Sequence, residues 1–128
     1  MRLLLDTHIL LWVLLAPDRL PTAARHAIME PDSDPFVSVA SVWEIAIKHA
    51  LGRLHVPVDQ LEALIAGLGF TLLPITLPHA IRAGALPRHH ADPFDRMLVA
   101  QSLCERLTLI TADAALRRYD VPVLPAGT

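Results

Sequence analysis

The sequence predicts an α/β fold: a parallel sheet with helices over both faces. Three observations carry that expectation. The chain opens with a short apolar run from Met1 that is stopped by Asp6, the pattern of a buried central strand. Strand-like segments then alternate with helix-like ones to the end of the chain. Acids also recur where strand-like runs end and helical ones begin, positions that share one edge of such a sheet and there form the ligand site.

Taken in order, Asp6 stands at the end of the first strand, and Thr7, His8 and an apolar series through Leu15 predict a helix packed back on the sheet. Pro21 to Glu30 predicts a short outer helix, with a proline suited to its first turn and Pro31 with Asp32 ending it. Phe36 to Val39 is a β-branched and aromatic second strand. The clearest helix runs from Ser41 to Leu54, where Ser41 and Glu44 have capping-box spacing and Gly52 marks the stop. On it, Ser41, Glu44 and Lys48 form a polar line between apolar flanks. Pro57 to Ala66 is the next helix, with Asp59 near its start and Gly67 and Gly69 closing it. A strand from Phe70 to Ile75 and a short helix from Pro78 to Ala85 precede a loop, Leu86 to Ala91, that carries Arg88, His89 and His90. Asp92 as cap and Pro93 in the first turn open a strong helix with Met97, Ala100, Cys104 and Leu107 at core spacing. Leu107 to Thr111 is a buried strand with Asp113 behind it, followed by a helix from Ala114 to Tyr119 and a strand from Val121 to Leu124.

At 128 residues the chain reads as a single domain spanning 1–128. Its apolar fraction of 53% and mean hydropathy of +0.43 are high for a lone domain and imply that a partner covers some apolar surface. Arg2 and the first apolar run imitate a secretory signal, but Asp6, Thr7 and His8 interrupt it and no small-residue cleavage site follows. No run is long enough to span a bilayer. Cys104 stands alone, which excludes an internal disulfide or cysteine cluster and suits a reducing cytoplasm. A formal charge of −2 excludes a broad cationic field, so a bound nucleic acid would be held by something other than net charge.

Asp6, Glu44, Asp95 and Asp113 are all assigned to the same sheet edge. Each alone is first of all a helix cap, since an acid at a helix start satisfies free amides and suits the dipole. Capping is served equally by serine, threonine or asparagine, so four carboxylates exceed what it requires. Gathered carboxylates repel, and a hard divalent ion removes that penalty; Mg²⁺ or Mn²⁺ suits such oxygen ligands. Asp92, set before Pro93, is given the capping role. Thr7 and Thr111 adjoin ligand acids and can support the site, although threonine at a strand end is also ordinary turn chemistry. Lys48, four residues after Glu44, has ion-pair spacing, and Arg88 and Arg96 are the other candidate phosphate contacts; the loop holding Arg88, His89 and His90 reads equally as an exposed polar loop. The seven histidines show no zinc-binding spacing, and His8 reads as a packed or orienting residue.

The segments LLLDTHILLW, SVWEIAIKHALGRL, HHADPFDRMLVAQSL and LTLITAD, in that order, resemble the PIN-domain family, most closely its VapC-type toxin ribonucleases from bacterial toxin–antitoxin pairs. The resemblance implies a three-layer α/β/α sandwich around a parallel sheet and an Mg²⁺- or Mn²⁺-dependent endoribonuclease. Its site acids would fall on Asp6, Glu44, Asp95 and Asp113, with Thr111 matching the hydroxyl residue near the last acid. It further implies a homodimer and a cognate VapB-type antitoxin whose tail lies in the active-site groove. The expected chemistry is in-line attack by water on an RNA phosphodiester, leaving a 5′-phosphate and a 3′-hydroxyl. RNA is favoured over duplex DNA because a single strand can enter a concave acidic site. An aspartate-nucleophile phosphatase is disfavoured because His8 stands where its second aspartate would be. A receiver domain lacks its late-strand lysine, Lys48 being the only lysine, and a non-catalytic module with capping acids remains the non-enzyme alternative.

Overall fold

The computed structural model describes residues 1–125. Five strands, β1 (Arg2–Leu5), β2 (Asp34–Ser38), β3 (Thr71–Leu73), β4 (Thr108–Thr111) and β5 (Val123–Pro125), form one parallel sheet in the order β3-β2-β1-β4-β5. Six helices connect them: α1 (Thr7–Leu15), α2 (Thr22–Met29), α3 (Val39–Ala50), α4 (Leu61–Gly67), α5 (Leu77–Ala85) and α6 (Pro93–Glu105). The expected sandwich with a central parallel sheet is therefore the observed architecture.

The uninterrupted leucines of β1 follow from its place at the centre of the sheet, where both faces are buried. Leu3 and Leu5 join one core with Val37 and Ile110, under α1 to α4, while Leu4 joins the opposite core with Leu109, under α5 and α6. Alternate residues of a strand point to opposite faces, so a single apolar run feeds both layers.

Strand order reverses at β1, whose neighbours are β2 on one side and β4 on the other. Such a switch point leaves a crevice beyond the carboxyl ends of the two strands. Leu5 pairs with Ile110, and the Asp6 amide still donates to the Ile110 carbonyl at 3.0 Å, which brings Asp6 to the end of β4.

Several element boundaries differ from expectation. β2 starts and ends earlier than Phe36–Val39 because Ser38, its last residue, is also the cap of α3: Ser38 Oγ accepts from the Ala40 amide at 2.9 Å. The Ser41–Glu44 capping box does not form; Ser41 is buried inside the first turn and Glu44 lies in the second. Pro35 is tolerated in an interior strand because it sits near the strand start. The segment 57–66 divides into a 3-10 turn, Val58–Gln60, and α4, and Gly69 takes the left-handed backbone (φ +79°) that turns the chain into β3. The last helix is a 3-10 turn over Ala114–Arg118.

The α6 face differs most. Met97 and Cys104 are only half-buried, whereas Leu98, Val99, Ala100, Gln101 and Ser102 are buried, because α6 is covered by the sheet on one side and by α5 on another. Cys104 is a free thiol. Among the described residues, no helix is long and apolar enough to cross a membrane.

Candidate metal centre

A cavity of about 350 Å³ opens at the switch point, and Asp6, Glu44, Asp95 and Asp113 all line it. The strands and helix starts deliver each acid separately. Asp6 leaves β1 and caps α1, with Oδ1 accepting from the Ile9 amide at 2.8 Å, while Oδ2 accepts from the Thr111 hydroxyl. Thr111 ends β4, and its hydroxyl oxygen also accepts from the Asp113 amide at 3.0 Å, so one threonine sets two of the acids relative to each other. Thr7 donates to the Ser41 hydroxyl at 2.9 Å in a buried contact that fastens the start of α1 to α3. That contact lays Glu44, one turn further along α3, against the cavity, where Lys48 Nζ meets its Oε2 at 2.8 Å.

Asp92 caps α6 as expected, its Oδ1 accepting from the Phe94 and Asp95 amides at 2.8 and 3.3 Å. Asp95 then projects from the first turn of α6 into the cavity. Asp113 caps the 3-10 turn with Oδ1, which accepts from the Ala115 amide at 2.9 Å, and turns Oδ2 toward His90 at 3.2 Å. Capping does not use up these acids: Asp6 and Asp113 each give one oxygen to the backbone and turn the other toward Thr111 and His90 respectively.

The acids are uncomfortable together. Burial, reinforced by the neighbouring charge of Asp92, pushes the Asp95 carboxyl up to about 6 against the opposing hydrogen bond from His90. Burial also raises Asp6, although its bonds from Thr111 and Ile9 oppose the shift. Raised carboxyls at a concave site mark a place where a cation is favoured. The donor set fits a divalent ion: His90 Nε2, one Asp95 oxygen and one Asp113 oxygen lie mutually within 4.8 Å, with Asp6 and Glu44 on the same cavity wall.

The four acids singled out in the sequence therefore line one cavity, and among the described residues Asp95 and Asp113 converge with His90 within 4.8 Å. Of the supporting residues, Thr111 bonds Asp6 directly, and Thr7 acts through Ser41. His8 is not a packed residue: it is exposed at the rim of the same cavity, its ring edge-on to Trp12 with centroids 4.6 Å apart. Arg96 is redirected: its guanidinium donates to the carbonyls of Ala83, Leu86, Pro87 and His90 and to the Tyr119 hydroxyl, so it braces the loop before α6 rather than standing free for phosphate. Arg88 lines a second cavity with Gly84, His90 and Arg96.

His90, which the sequence places in a loop that reads equally as a phosphate contact or as an exposed polar loop, joins the acids at the site. Its Nε2 lies 2.8 Å from Asp95 Oδ2 and 3.2 Å from Asp113 Oδ2. The available signal was local: His90 precedes a capped helix start by two residues, so the turn into α6 carries it toward the same edge as Asp95.

Comparison with known proteins identifies the family and the fold. Residues 3–122 match the PIN domain family. Ribonuclease VapC22 of Mycobacterium tuberculosis is 32% identical over 126 residues, covering 93% of this chain and 92% of that protein. Among solved structures, VapBC2 from Rickettsia felis bound to a promoter DNA fragment aligns with TM-score 0.73 at 12% identity, over 98% of this chain and 99% of that one. VapBC-1 from nontypeable Haemophilus influenzae aligns with TM-score 0.65 at 20% identity, over 98% of each chain. At those identities the structural likeness bears on the fold.

Proposed function

Because this chain belongs to the PIN-domain family, we propose that it is a divalent-metal-dependent endoribonuclease acting as the toxin of a toxin–antitoxin pair. The observation that carries the reading is the meeting of Asp6, Glu44, Asp95 and Asp113 in one cavity at the sheet's switch point, brought there by four different elements.

These acids would hold Mg²⁺ or Mn²⁺, which when bound supplies charge neutralisation at a phosphate and a more acidic water. The chain's own groups prepare that site. Thr111 and the Ile9 amide fix the Asp6 carboxylate, and Lys48 holds Glu44 while its own side chain stays 40% exposed at the rim, within reach of an RNA phosphate. Arg88 is the second candidate phosphate contact. The concave shape favours a flexible single strand or an RNA loop over a duplex.

A VapB-type antitoxin and a second copy of the chain are the proposed protein partners, acting in the cytoplasm. The exposed Trp43, Leu51, Leu77 and Ile81 supply the apolar surface that such partners would cover. The test is cleavage of RNA by the purified chain with Mn²⁺, with EDTA, and with Asp6→Ala. Cleavage that needs the metal and disappears in a folded Asp6→Ala protein is expected, and equal cleavage by Asp6→Ala in EDTA would overturn the reading.

A further inference from the structure

We propose that His90 is a nitrogen ligand of the metal that these acids hold, making the centre a mixed nitrogen–oxygen site that prefers Mn²⁺ to Mg²⁺. The inference rests on the nuclease reading only in so far as that reading requires a bound divalent ion.

Neighbouring ligands around an octahedral ion with bonds of roughly 2.1 Å stand about 3 Å apart. His90 Nε2 lies at that spacing from two carboxylate oxygens on separate elements, 2.8 Å from Asp95 on α6 and 3.2 Å from Asp113 beyond β4. Three donors converging from three segments are the arrangement that one ion would span. A histidine paired for stability alone needs one acid; this one faces two.

The loop bearing His90 is also built to stay in place. Arg96 ties together four carbonyls, from Ala83 to His90, and His89 rests edge-on against Tyr119, with ring centroids 5.1 Å apart and the tyrosine itself buried. With its backbone held at its own carbonyl, the imidazole either coordinates an ion placed between Asp95 and Asp113 or blocks it. Imidazole is a softer donor than carboxylate or water and suits transition metals, whereas Mg²⁺ prefers oxygen, so the nitrogen tilts selectivity toward Mn²⁺.

The experiment titrates MnCl₂ and MgCl₂ separately into the wild-type chain, His90→Ala and, as a control away from the site, the exposed His55→Ala by calorimetry, and records pulsed EPR spectra of the Mn²⁺-loaded proteins. Wild type and His55→Ala should show ¹⁴N coupling to Mn²⁺. His90→Ala should lose it, bind Mn²⁺ at least roughly tenfold more weakly, and lose less affinity for Mg²⁺. Mn²⁺ bound without nitrogen coupling in the wild type, or coupling that survives in His90→Ala, overturns the ligand assignment and leaves the nuclease reading standing. A wild-type chain that binds neither ion overturns both.

Discussion

Two histidines, His79 and His90, each sit 2.8 Å from a carboxylate, yet their surroundings give them opposite roles. His79 is fully buried between α5 and α6, and every ring nitrogen is used within the protein. Its Nδ1 accepts from the Thr76 amide at 3.1 Å and from Gln101 Nε2 at 3.3 Å, which leaves Nε2 to donate to Glu105 at 2.8 Å. It completes the capping box of α5. His90 meets two acids, and those acids belong to a cluster already crowded by burial and mutual charge. A closed hydrogen-bond set marks a structural histidine; one aimed at surplus charge marks a functional one.

Removing an acid from the functional side should have the largest effect. Asp95→Asn is expected to lower Mn²⁺-dependent RNA cleavage by about a hundredfold or more, beyond what loss of an outer-shell partner costs, with unchanged circular dichroism. The histidines should then separate cleanly. His79→Ala removes the acceptor of the Thr76 amide and one of the two acceptors of the buried Gln101 side chain, and it opens a cavity, a loss of about 2–4 kcal/mol visible as a lower melting temperature in metal-free buffer. It should leave the Mn²⁺-induced rise in melting temperature intact. His90→Ala should shrink that rise and spare the core, and a swap of these outcomes would dissolve the distinction.

Arg96→Lys is a milder probe of the same contrast. Lysine cannot reproduce a guanidinium shared among four carbonyls, so the loop should loosen and Mn²⁺ affinity fall by about tenfold. The smallest effect is on pH dependence. Because Asp95 in the folded chain holds its proton up to about 6, above the ordinary unfolded value of about 3.9, metal-free folded protein binds more protons than unfolded protein between those values. Its contribution to stability is complete below about pH 4 and is lost as pH rises through about 6. Asp95→Asn should flatten that part of the curve, and Mn²⁺ affinity of the wild type should climb over the same window as the carboxyl ionises.

Much of this was legible in the chain because it depends on local patterns. The leucine run ending at Asp6, the cap at Asp92 and the alternation of strands with helices each follow from short-range rules, and the switch-point rule converts them into a shared edge. The start of α3 was misplaced because Val39 and Ala40 continue the apolar character of β2, so only the backbone shows that Ser38 both ends the strand and caps the helix. Contacts between distant segments left no such trace. Nothing near Arg96 announces that its guanidinium gathers carbonyls of residues 83–90, and His79 gives no hint of Gln101 and Glu105 on α6. The same holds for His90, whose second acid lies 23 positions further along the chain.

Everything proposed for this cavity requires that acids from four elements together form a site for divalent metal, and a melting curve recorded through an MnCl₂ titration is the decisive test. A site filled at a hundred times its dissociation constant adds about 2.7 kcal/mol, on the order of 10 °C for a chain of this size. Such a rise is expected in the wild type, with its loss in both Asp6→Asn and Asp95→Asn. A wild-type curve that does not respond to Mn²⁺, or variants that rise just as far, would contradict it.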